Sequence, residues 1–235
     1  MHDRRVLALL LVMGCATEPS PCGDAAAQLA GCTDDQRQSF VAACEATGGA
    51  DPSTLLADTA DACAPVPSDG KADGATLAVT GMCVAGMYGV RWTVTSLSAS
   101  GEPLPAETKT MLRPIYGDLV DRVTVTIGAA LPPRIVIAGH ELAVEPDAMT
   151  FNTHVMMLDA VAADRTRLLL TTVHELTHAQ QAERAGGYWG FAVDYCRDMI
   201  AANFSYNHIG MEIAAYAVEG DARRNLQRCG NVKCQ

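Results

Sequence analysis

The stretch VHELTHAQQ, residues 173–181, decides how the whole chain is interpreted. It places His174 and His178 four positions apart and puts Glu175 directly after the first histidine. Residues four apart in an α-helix lie on the same face, one turn above the other, so both imidazoles can reach one ion. Glu175 is rotated about 100° around the helix, where its carboxylate can reach a water molecule on that ion. The pattern therefore predicts a zinc site that activates water.

The sequence on either side of the motif predicts the helix that carries it. Residues 164–185 form a continuous helical pattern that begins at Asp164, a residue type that caps helix N-termini, and stops at Gly186-Gly187. The preceding run MTFNTHVMML, residues 149–158, alternates apolar and polar residues before it becomes fully apolar. This alternation predicts one half-buried strand ahead of the helix.

A zinc ion held by two histidines needs a third protein ligand from elsewhere in the chain. Residues 206–221 supply the candidates, which are Glu212, Glu219, Asp221 and, as the alternative to Glu212, His208. We favour Glu212, because the 34 positions between it and His178 leave room for a loop and a helix that bring a second helix back across the first. The small residues Ala214 and Ala215 that follow it permit a close approach between the two helices.

Two further roles are predicted around Glu212. Glu219 lies two helical turns later on nearly the same face, where it can orient a ligand imidazole. An anion that develops during hydrolysis also requires a hydrogen-bond donor. The donors near in sequence are Tyr206, His208 and Tyr216. Tyr216 is favoured because it follows Glu212 by one helical turn, and the alternative for either tyrosine is a role in helix packing.

The N-terminal sequence MHDRRVLALLLVMGC predicts export from the cytoplasm. Arg4 and Arg5 precede an apolar run over residues 6–13, which is too short to cross a membrane as a helix and is typical of a signal peptide. The closing LVMGC resembles the lipobox of bacterial lipoproteins, which implies removal of residues 1–14 and acylation of Cys15. We therefore expect a protein anchored by lipid to a bacterial membrane, with the outer membrane favoured. The alternative is a plain secretory signal in which the cysteine occurs by chance.

Eight cysteines follow Cys15, and the oxidising compartment that export implies predicts up to four disulfides among them. They are Cys22, Cys32, Cys44, Cys63, Cys83, Cys196, Cys229 and Cys234. Four lie within residues 22–63 and four within residues 83–234, so pairing inside each group is the simplest expectation. The sequence has no Cys-x-x-Cys pair, which disfavours a zinc ribbon or a thioredoxin-type redox motif.

Composition divides the exported chain into three parts. Residues 15–64 hold eight acidic residues, one basic residue (Arg37) and four of the eight cysteines, which predicts a small disulfide-stapled helical segment. This segment is expected to act as a spacer, a partner-binding module or a pro-segment. Residues 65–75 predict a linker, and residues 76–235 form the main domain. The net charge of −10 and the lack of a basic stripe argue against a nucleic-acid partner.

Further strands and helices are predicted within the main domain. The runs TLAVTGMCV (76–84) and GVRWTVTSL (89–97) alternate in polarity, which predicts two strands joined by a turn. A helix over residues 105–120 is expected to be interrupted near Pro114. The remaining elements are short strands at 121–128 and 134–139 and helices at 192–202 and 208–228.

Three segments of this domain together resemble one bacterial family. They are LRPIYGDLVDRVTVTIG (112–128), DAMTFNTHVMML (147–158) and LLLTTVHELTHAQQ (168–181). Over residues 111–182 they resemble the extracellular contractile injection system core domain, a family regarded as zinc metallopeptidases, and the HELTH-x-x-Q segment is the most specific part. The resemblance implies a zincin-like fold with zinc on His174 and His178 and with Glu175 as the catalytic base. In zincins an edge strand ahead of the zinc helix pairs with extended substrate, and THVMML (153–158) is expected to be that strand.

Glu212 as the third ligand corresponds to a more general resemblance, to the gluzincins, whose third zinc ligand is a glutamate on a later helix. The gluzincin pattern has an asparagine before this glutamate, and Met211 stands there in this chain. This difference from the gluzincin pattern bears on the prediction of peptidase activity more than on the prediction of metal binding.

The sequence therefore predicts an α+β protein. Its main part is a zincin-like metallopeptidase domain, built from a small β-sheet, an active-site helix and C-terminal helices, behind the small disulfide-stapled segment. The expected function is that of a membrane-anchored, extracytoplasmic metallopeptidase that uses one Zn²⁺ ion to cut protein or peptide substrates. The alternative is a catalytically silent lipoprotein that keeps the zincin fold for binding a partner.

Overall fold

The computed structural model describes residues 21–29, 74–96, 100–137, 140–142 and 145–234 together with single positions. These single positions are 32, 34, 37, 38, 41 and 98. The predictions for the signal peptide, for acylation of Cys15, for Cys44 and Cys63, and for most of the linker lie outside the described residues.

Helices make up most of the described chain, and a small sheet lies among them. The helices are α1 (Pro21–Ala27), α2 (Gly74–Ser96), α3 (Ala106–Tyr116), α4 (Leu119–Arg122), α5 (Asp159–Ala162), α6 (Arg165–Arg184), α7 (Tyr188–Ala201) and α8 (Gly210–Cys229), with a 3₁₀ turn at Tyr206–His208. The strands are β1 (Glu102–Pro103), β2 (Thr124–Ile127), β3 (Ile135–Ile137), β4 (His140–Leu142), β5 (Ala148–Phe151) and β6 (His154–Met157). The predicted α+β class is confirmed at this level.

Among the described residues, the main sheet has four strands in the order β1-β2-β6-β5. β2 and β6 run parallel, with Thr124 opposite His154, and the two outer pairs are antiparallel. The predicted strands at 121–128 and 134–139 are confirmed as β2 and β3. β3 pairs with β4 in a separate two-stranded hairpin.

The prediction of one strand over residues 149–158 is wrong, because this run folds back on itself. β5 and β6 form an antiparallel hairpin in which Asn152 takes a positive φ of 58° at the turn. Asparagine tolerates that left-handed conformation better than most residues do, so no glycine marks the turn. β6 consequently lies between β2 and β5, and THVMML (153–158) is not an edge strand. Within the described residues β5 is the edge strand beside α6.

The two strands predicted at 76–84 and 89–97 are also wrong, since both runs belong to the single helix α2. Five closely spaced residues of α2 are each at most 8% exposed, namely Cys83, Val84, Ala85, Met87 and Tyr88. A helix that is buried on several sides has no single apolar face and therefore lacks the helical period in its sequence. A short apolar run of this kind cannot be told from a strand by periodicity alone.

Buried side chains of the described residues form two clusters, one on each face of the main sheet. Met156 of β6 packs with residues of α2, α7 and the β3–β4 hairpin. Its neighbours Val155 and Met157 pack with residues of α3, α4 and α6. Successive residues of a strand point to opposite faces, so helices cover both sides of the sheet. This arrangement fixes α6 along one face, next to β5.

The predicted ends of the motif helix are confirmed. Asp164 caps α6, since its Oδ1 accepts a hydrogen bond of 2.9 Å from a backbone N–H of the first turn. Gly186 and Gly187 end the helix with φ values of 80° and 122°, which side chains disfavour. The interruption predicted near Pro114 falls slightly later, because α3 continues to Tyr116 and α4 begins at Leu119.

Two disulfides join cysteines of the second predicted group. Cys83–Cys196 links α2 to α7 across 113 positions, and Cys229–Cys234 closes a short loop after α8. Pairing inside that group is therefore confirmed. Cys22 and Cys32 are also in disulfides. Over the described ranges, every helix is either too short or too polar to cross a membrane.

Candidate metal centre

Two helices that cross, α6 and α8, bring three predicted ligands together. His174 and His178 project from α6, and Glu212 lies in the first turn of α8. The two Nε2 atoms are 3.1 Å apart. The Glu212 carboxylate lies 3.2 Å from His174 Nε2 through Oε2 and 3.3 Å from His178 Nε2 through Oε1. All three residues are buried, and together they form a group that can hold a metal ion.

The approach of α8 follows from local sequence features. α8 begins after the 3₁₀ turn, where the Asp198 carboxylate accepts a hydrogen bond of 2.9 Å from the backbone N–H of Met211. Ala215 is fully buried on the face that meets α6, as predicted, whereas Ala214 is exposed. The small side chain at 215 lets the helices approach closely enough for Glu212 to reach both imidazoles.

The outer ring nitrogens of the two histidines differ, since that of His178 has a hydrogen-bond partner among the described residues and that of His174 does not. His178 Nδ1 lies 2.8 Å from Gln181 Oε1, and Gln181 Nε2 donates at 3.1 Å to the carbonyl oxygen of Met211 on α8. His174 Nδ1 lies 3.5 Å from Glu219 Oε2, which is long for a hydrogen bond. Glu219 thus lies where the sequence predicted an orienting group, and Gln181 holds the corresponding position for His178.

Two phenols hold the carboxylate of Glu212. Tyr195 of α7 donates to Oε1 and Tyr206 of the 3₁₀ turn donates to Oε2, both at 2.6 Å. Burial and the adjacent Glu212 charge raise the pKa of both phenols, so each keeps its proton and donates. The carboxylate therefore receives a donor on each oxygen in addition to the imidazoles.

Without a metal ion, the pKa values of His174, His178 and Glu212 reflect a balance between burial and the interactions among these three side chains. Burial opposes charge on all three side chains. For His174 the interactions with Glu212 and Glu219 outweigh burial and raise its pKa to about 10. Glu212 likewise raises the pKa of His178, and the two histidines hold the pKa of Glu212 well below its ordinary value. Without an ion, the carboxylate is thus the negative centre beside two histidines that favour the protonated form, and a bound cation would take the place of their protons.

Glu175, the predicted base, lies beside the three ligands and is held by the sheet. Its Oε2 accepts a hydrogen bond of 2.7 Å from Thr150 Oγ1, and the same hydroxyl lies 3.1 Å from the Glu175 carbonyl oxygen. Burial raises the pKa of Glu175, and the two nearby histidines moderate that rise. The edge strand β5 therefore fixes the orientation of this carboxylate.

The other predicted donors lie at different distances from the centre. The Tyr216 ring packs edge-on against His174 with 4.5 Å between centroids, and half of Tyr216 is exposed. Tyr206 is closer to the ligands through its bond to Glu212. His208, the alternative ligand, is exposed and lies outside the metal-ligand group, and exposed Asp221 pairs with Arg224.

Sequence reasoning missed three residues of this centre. Gln181 lies three positions after His178 on the same helix face, so its spacing was a usable signal. Tyr195 and Thr150 had no such signal, because they reach the centre through the packing of α7 and β5. Tyrosine and threonine side chains are also common in protein cores that hold no metal site.

Comparison of the chain with protein-family models, with curated proteins and with solved structures gave no match. The likeness to the injection-system core domain therefore stays a prediction that rests on the sequence segments quoted above.

Proposed function

We propose that this protein is a zinc-dependent peptidase of the zincin type. His174, His178 and Glu212 would hold one zinc ion, and Glu175 would act as the general base. One observation carries the proposal: two imidazole nitrogens and a carboxylate converge within 3.1–3.3 Å in a buried site beside a second, separately oriented carboxylate.

The spacing of the donor atoms fits zinc. Ligands about 2.0–2.1 Å from a tetrahedral ion lie roughly 3.3 Å from one another, which matches the separations in this site. Two imidazoles and one carboxylate are also a donor set that zinc accepts, whereas calcium and magnesium prefer oxygen ligands throughout. Three protein ligands leave a tetrahedral ion one position for water, as catalytic zinc sites require.

The residues of this chain then have separate tasks in peptide hydrolysis. A bound zinc ion would supply Lewis acidity that lowers the pKa of a water molecule and polarises the scissile carbonyl. Thr150 holds Oε2 of Glu175, which leaves Oε1 to take the proton of the attacking water and to pass it to the leaving amine. The carboxylate starts and ends deprotonated, so it acts as a base and then as an acid in one cycle.

Substrate orientation and charge stabilisation would come from the surrounding elements. An extended peptide would pair with β5, since this edge strand, rather than β6, borders the centre. Tyr216 packs on His174 at the open side of the site and remains the candidate donor to the oxygen that gains charge. Tyr206 can act there only if it gives up its bond to Glu212.

We also propose that the enzyme works outside the cytoplasm, anchored by lipid on Cys15. The signal-like residues 1–14 support export. The disulfides Cys83–Cys196 and Cys229–Cys234 give independent support, because such bonds persist in oxidising compartments.

A second function is favoured by one feature of the centre. Glu212 already receives both phenols and lies within 3.3 Å of both imidazoles, so both of its carboxylate oxygens have partners without an ion, although the buried Nδ1 of His174 has none within hydrogen-bond distance in the described part of the chain. A polar cluster of this kind can serve a purely structural purpose in a protein that binds a partner. Metal content and turnover, measured together, separate the two functions.

The test compares the purified wild type with the variants Glu175→Gln and Glu183→Gln. Glu183 is an exposed glutamate two turns further along α6, so it controls for the substitution itself. We expect one zinc per chain in all three proteins, and cleavage of casein or a random peptide mixture by the wild type and Glu183→Gln. Glu175→Gln should lose activity by about 100-fold or more, as expected for loss of a general base. A zinc-free wild type, or a zinc-loaded wild type that cuts nothing, would overturn the proposal.

A further inference from the structure

Two cavities of opposite character meet at the metal centre. Both are lined by His174, Glu175 and Tyr206, and both are bounded by Ala148 at the start of β5. His178 and Glu212 face only the first cavity, which we call the apolar pocket. Tyr216 and Glu219 face only the second, which we call the polar cleft. A ligand that crosses the centre therefore meets a different environment on each side.

Four elements form the walls of the apolar pocket. Its apolar side chains are Met87 and Val90 of α2, Ile135, Ile137 and Leu142 of the β3–β4 hairpin, Met149 and Phe151 of β5, and Tyr188 and Phe191 of α7. The cavity between them has a volume of about 100 Å³ and opens to solvent. It is a small apolar recess beside a few convergent polar groups, on the scale of one side chain rather than of a whole ligand.

The polar groups of the apolar pocket belong almost entirely to the metal centre. They are Thr150, His174, Glu175, His178, Glu212 and the hydroxyls of three tyrosines. Among the residues that the structure describes, a side chain that enters the pocket therefore finds no charged partner beyond the reacting groups. Apolar side chains gain from leaving water there, whereas a charged side chain would lose its hydration without compensation.

The polar cleft should discriminate much less between different substrate side chains. Arg167 and Arg223 line it, and each is paired with an acid of the same cleft, Asp147 at 2.6 Å and Glu219 at 2.7 Å. Glu145 and Asp164 add exposed negative charge. Exposed charges interact weakly through water and are screened by salt, so they bias the choice of residue only slightly.

We propose that the substrate is a peptide with a large apolar side chain, such as leucine, phenylalanine or methionine, on one side of the scissile bond only. This side chain occupies the apolar pocket, and the residues on the other side lie in the polar cleft, where polar and basic residues are accepted. The inference rests on the proposed peptidase function and adds its substrate class.

The first experiment measures cleavage preference and binding separately. Zinc-loaded wild type cuts a random peptide mixture, and mass spectrometry identifies the residues on both sides of each cut. Zinc-loaded Glu175→Gln then binds fluorescent host peptides that differ only in one central residue, which is Phe, Leu, Ala or Asp. We expect apolar residues to dominate one flank of the cuts. We also expect Phe and Leu peptides to bind at least about 10-fold more tightly than Ala and Asp peptides, the scale of a few methylenes in an apolar pocket.

The second experiment narrows the pocket. Val90→Phe fills part of the wall formed by α2, and Val125→Phe makes the same change at a half-buried valine of β2 that lies outside both cavities. Val90→Phe should lower kcat/KM for the Phe substrate by about 10-fold and leave the Ala substrate nearly unchanged. Val125→Phe should change kcat/KM for the Phe and Ala substrates by the same factor.

The outcomes keep the two proposals distinct. Cuts without an apolar preference on either flank, or equal binding of all four host peptides, would overturn the substrate class while leaving a peptidase. Apolar-dependent binding to Glu175→Gln without any cleavage by wild type would support the pocket and overturn the peptidase. The peptide series uses the unaltered pocket, so its result stands even if Val90→Phe fails to fold.

Discussion

The candidate metal centre has two unlike sides, one around each histidine. His178 faces the apolar pocket, and its outer nitrogen is held by the neutral amide of Gln181. His174 faces both cavities, and its outer nitrogen lies 3.5 Å from the charged Glu219, at the edge of the polar cleft. A short bond to a neutral group fixes the position of the ring, while the longer contact with the partly buried Glu219 carboxylate acts mainly through its charge.

The difference between the sides has a structural origin. Gln181 also donates to the carbonyl oxygen of Met211, so it joins α6 to the start of α8 immediately beside Glu212. Glu219 shares its charge with Arg223 at 2.7 Å and is partly exposed. We infer that the His178 side holds the geometry of the centre and that the His174 side is the one that faces incoming polar groups.

The largest effect is expected from removal of the ligand that both sides share. Glu212→Ala deletes the acceptor of two phenols and the one carboxylate that reaches both imidazoles. Zinc affinity should fall by more than 100-fold, beyond the 10–100-fold range of changes to outer partners. Competition with a chelator of known affinity measures it. His208→Ala, at the exposed alternative ligand, should leave the affinity unchanged, and the reverse ranking would reassign the third ligand.

Smaller losses of zinc affinity should distinguish Gln181 from Glu219, the two residues nearest the outer ring nitrogens of the histidines. Gln181→Ala removes a bond of 2.8 Å to His178 and the link to α8, so zinc affinity should fall by about 10–100-fold. Glu219→Ala removes the 3.5 Å contact with His174 and the ion pair with Arg223, neither of which is a short bond to a ligand imidazole, so the loss should be less than about 10-fold. The same chelator competition checks both. Equal losses would show that the two sides are equivalent.

Much of this centre could be predicted because its signals are local. The cap at Asp164, the stop at Gly186-Gly187 and the four-residue spacing of His174 and His178 all lie within one helix. Glu212 required one long-range assumption, namely that a second helix returns across the first. That assumption matched the structure because residues 188–208 do form a helix and a turn of suitable length.

Other parts could not be predicted, because packing rather than local pattern determines them. α2 is buried on several sides, so its sequence carries a short apolar alternation that suggested strands. Asn152 forms a hairpin turn without glycine or proline. Tyr195 reaches Glu212 from α7, which Cys83–Cys196 links to α2, and nothing in the sequence near position 195 indicates that contact.

The last comparison concerns stability without metal and the two phenols on Glu212, since one faces only the apolar pocket and the other faces both cavities. Tyr195 is buried, and Tyr206 is partly exposed. Without metal, Tyr195→Phe should lower the free energy of unfolding by about 1.5–3 kcal/mol, because it removes a hydrogen bond to a buried charge. Tyr206→Phe should cost less, since water can replace the lost donor.

Urea unfolding in the presence of a chelator measures both changes in the free energy of unfolding. The midpoints of two variants can be compared when the dependence of this free energy on urea concentration is unchanged. Tyr116→Phe provides the matched control, because its buried hydroxyl donates at 2.6 Å to the carbonyl oxygen of Val173 and lies 2.9 Å from Thr177 Oγ1, both of which are neutral. That loss should amount to about 0.5–1.5 kcal/mol, the usual range for an uncharged acceptor. If Tyr195→Phe cost no more than Tyr116→Phe, the Glu212 carboxylate would not carry the charge that a metal ligand needs.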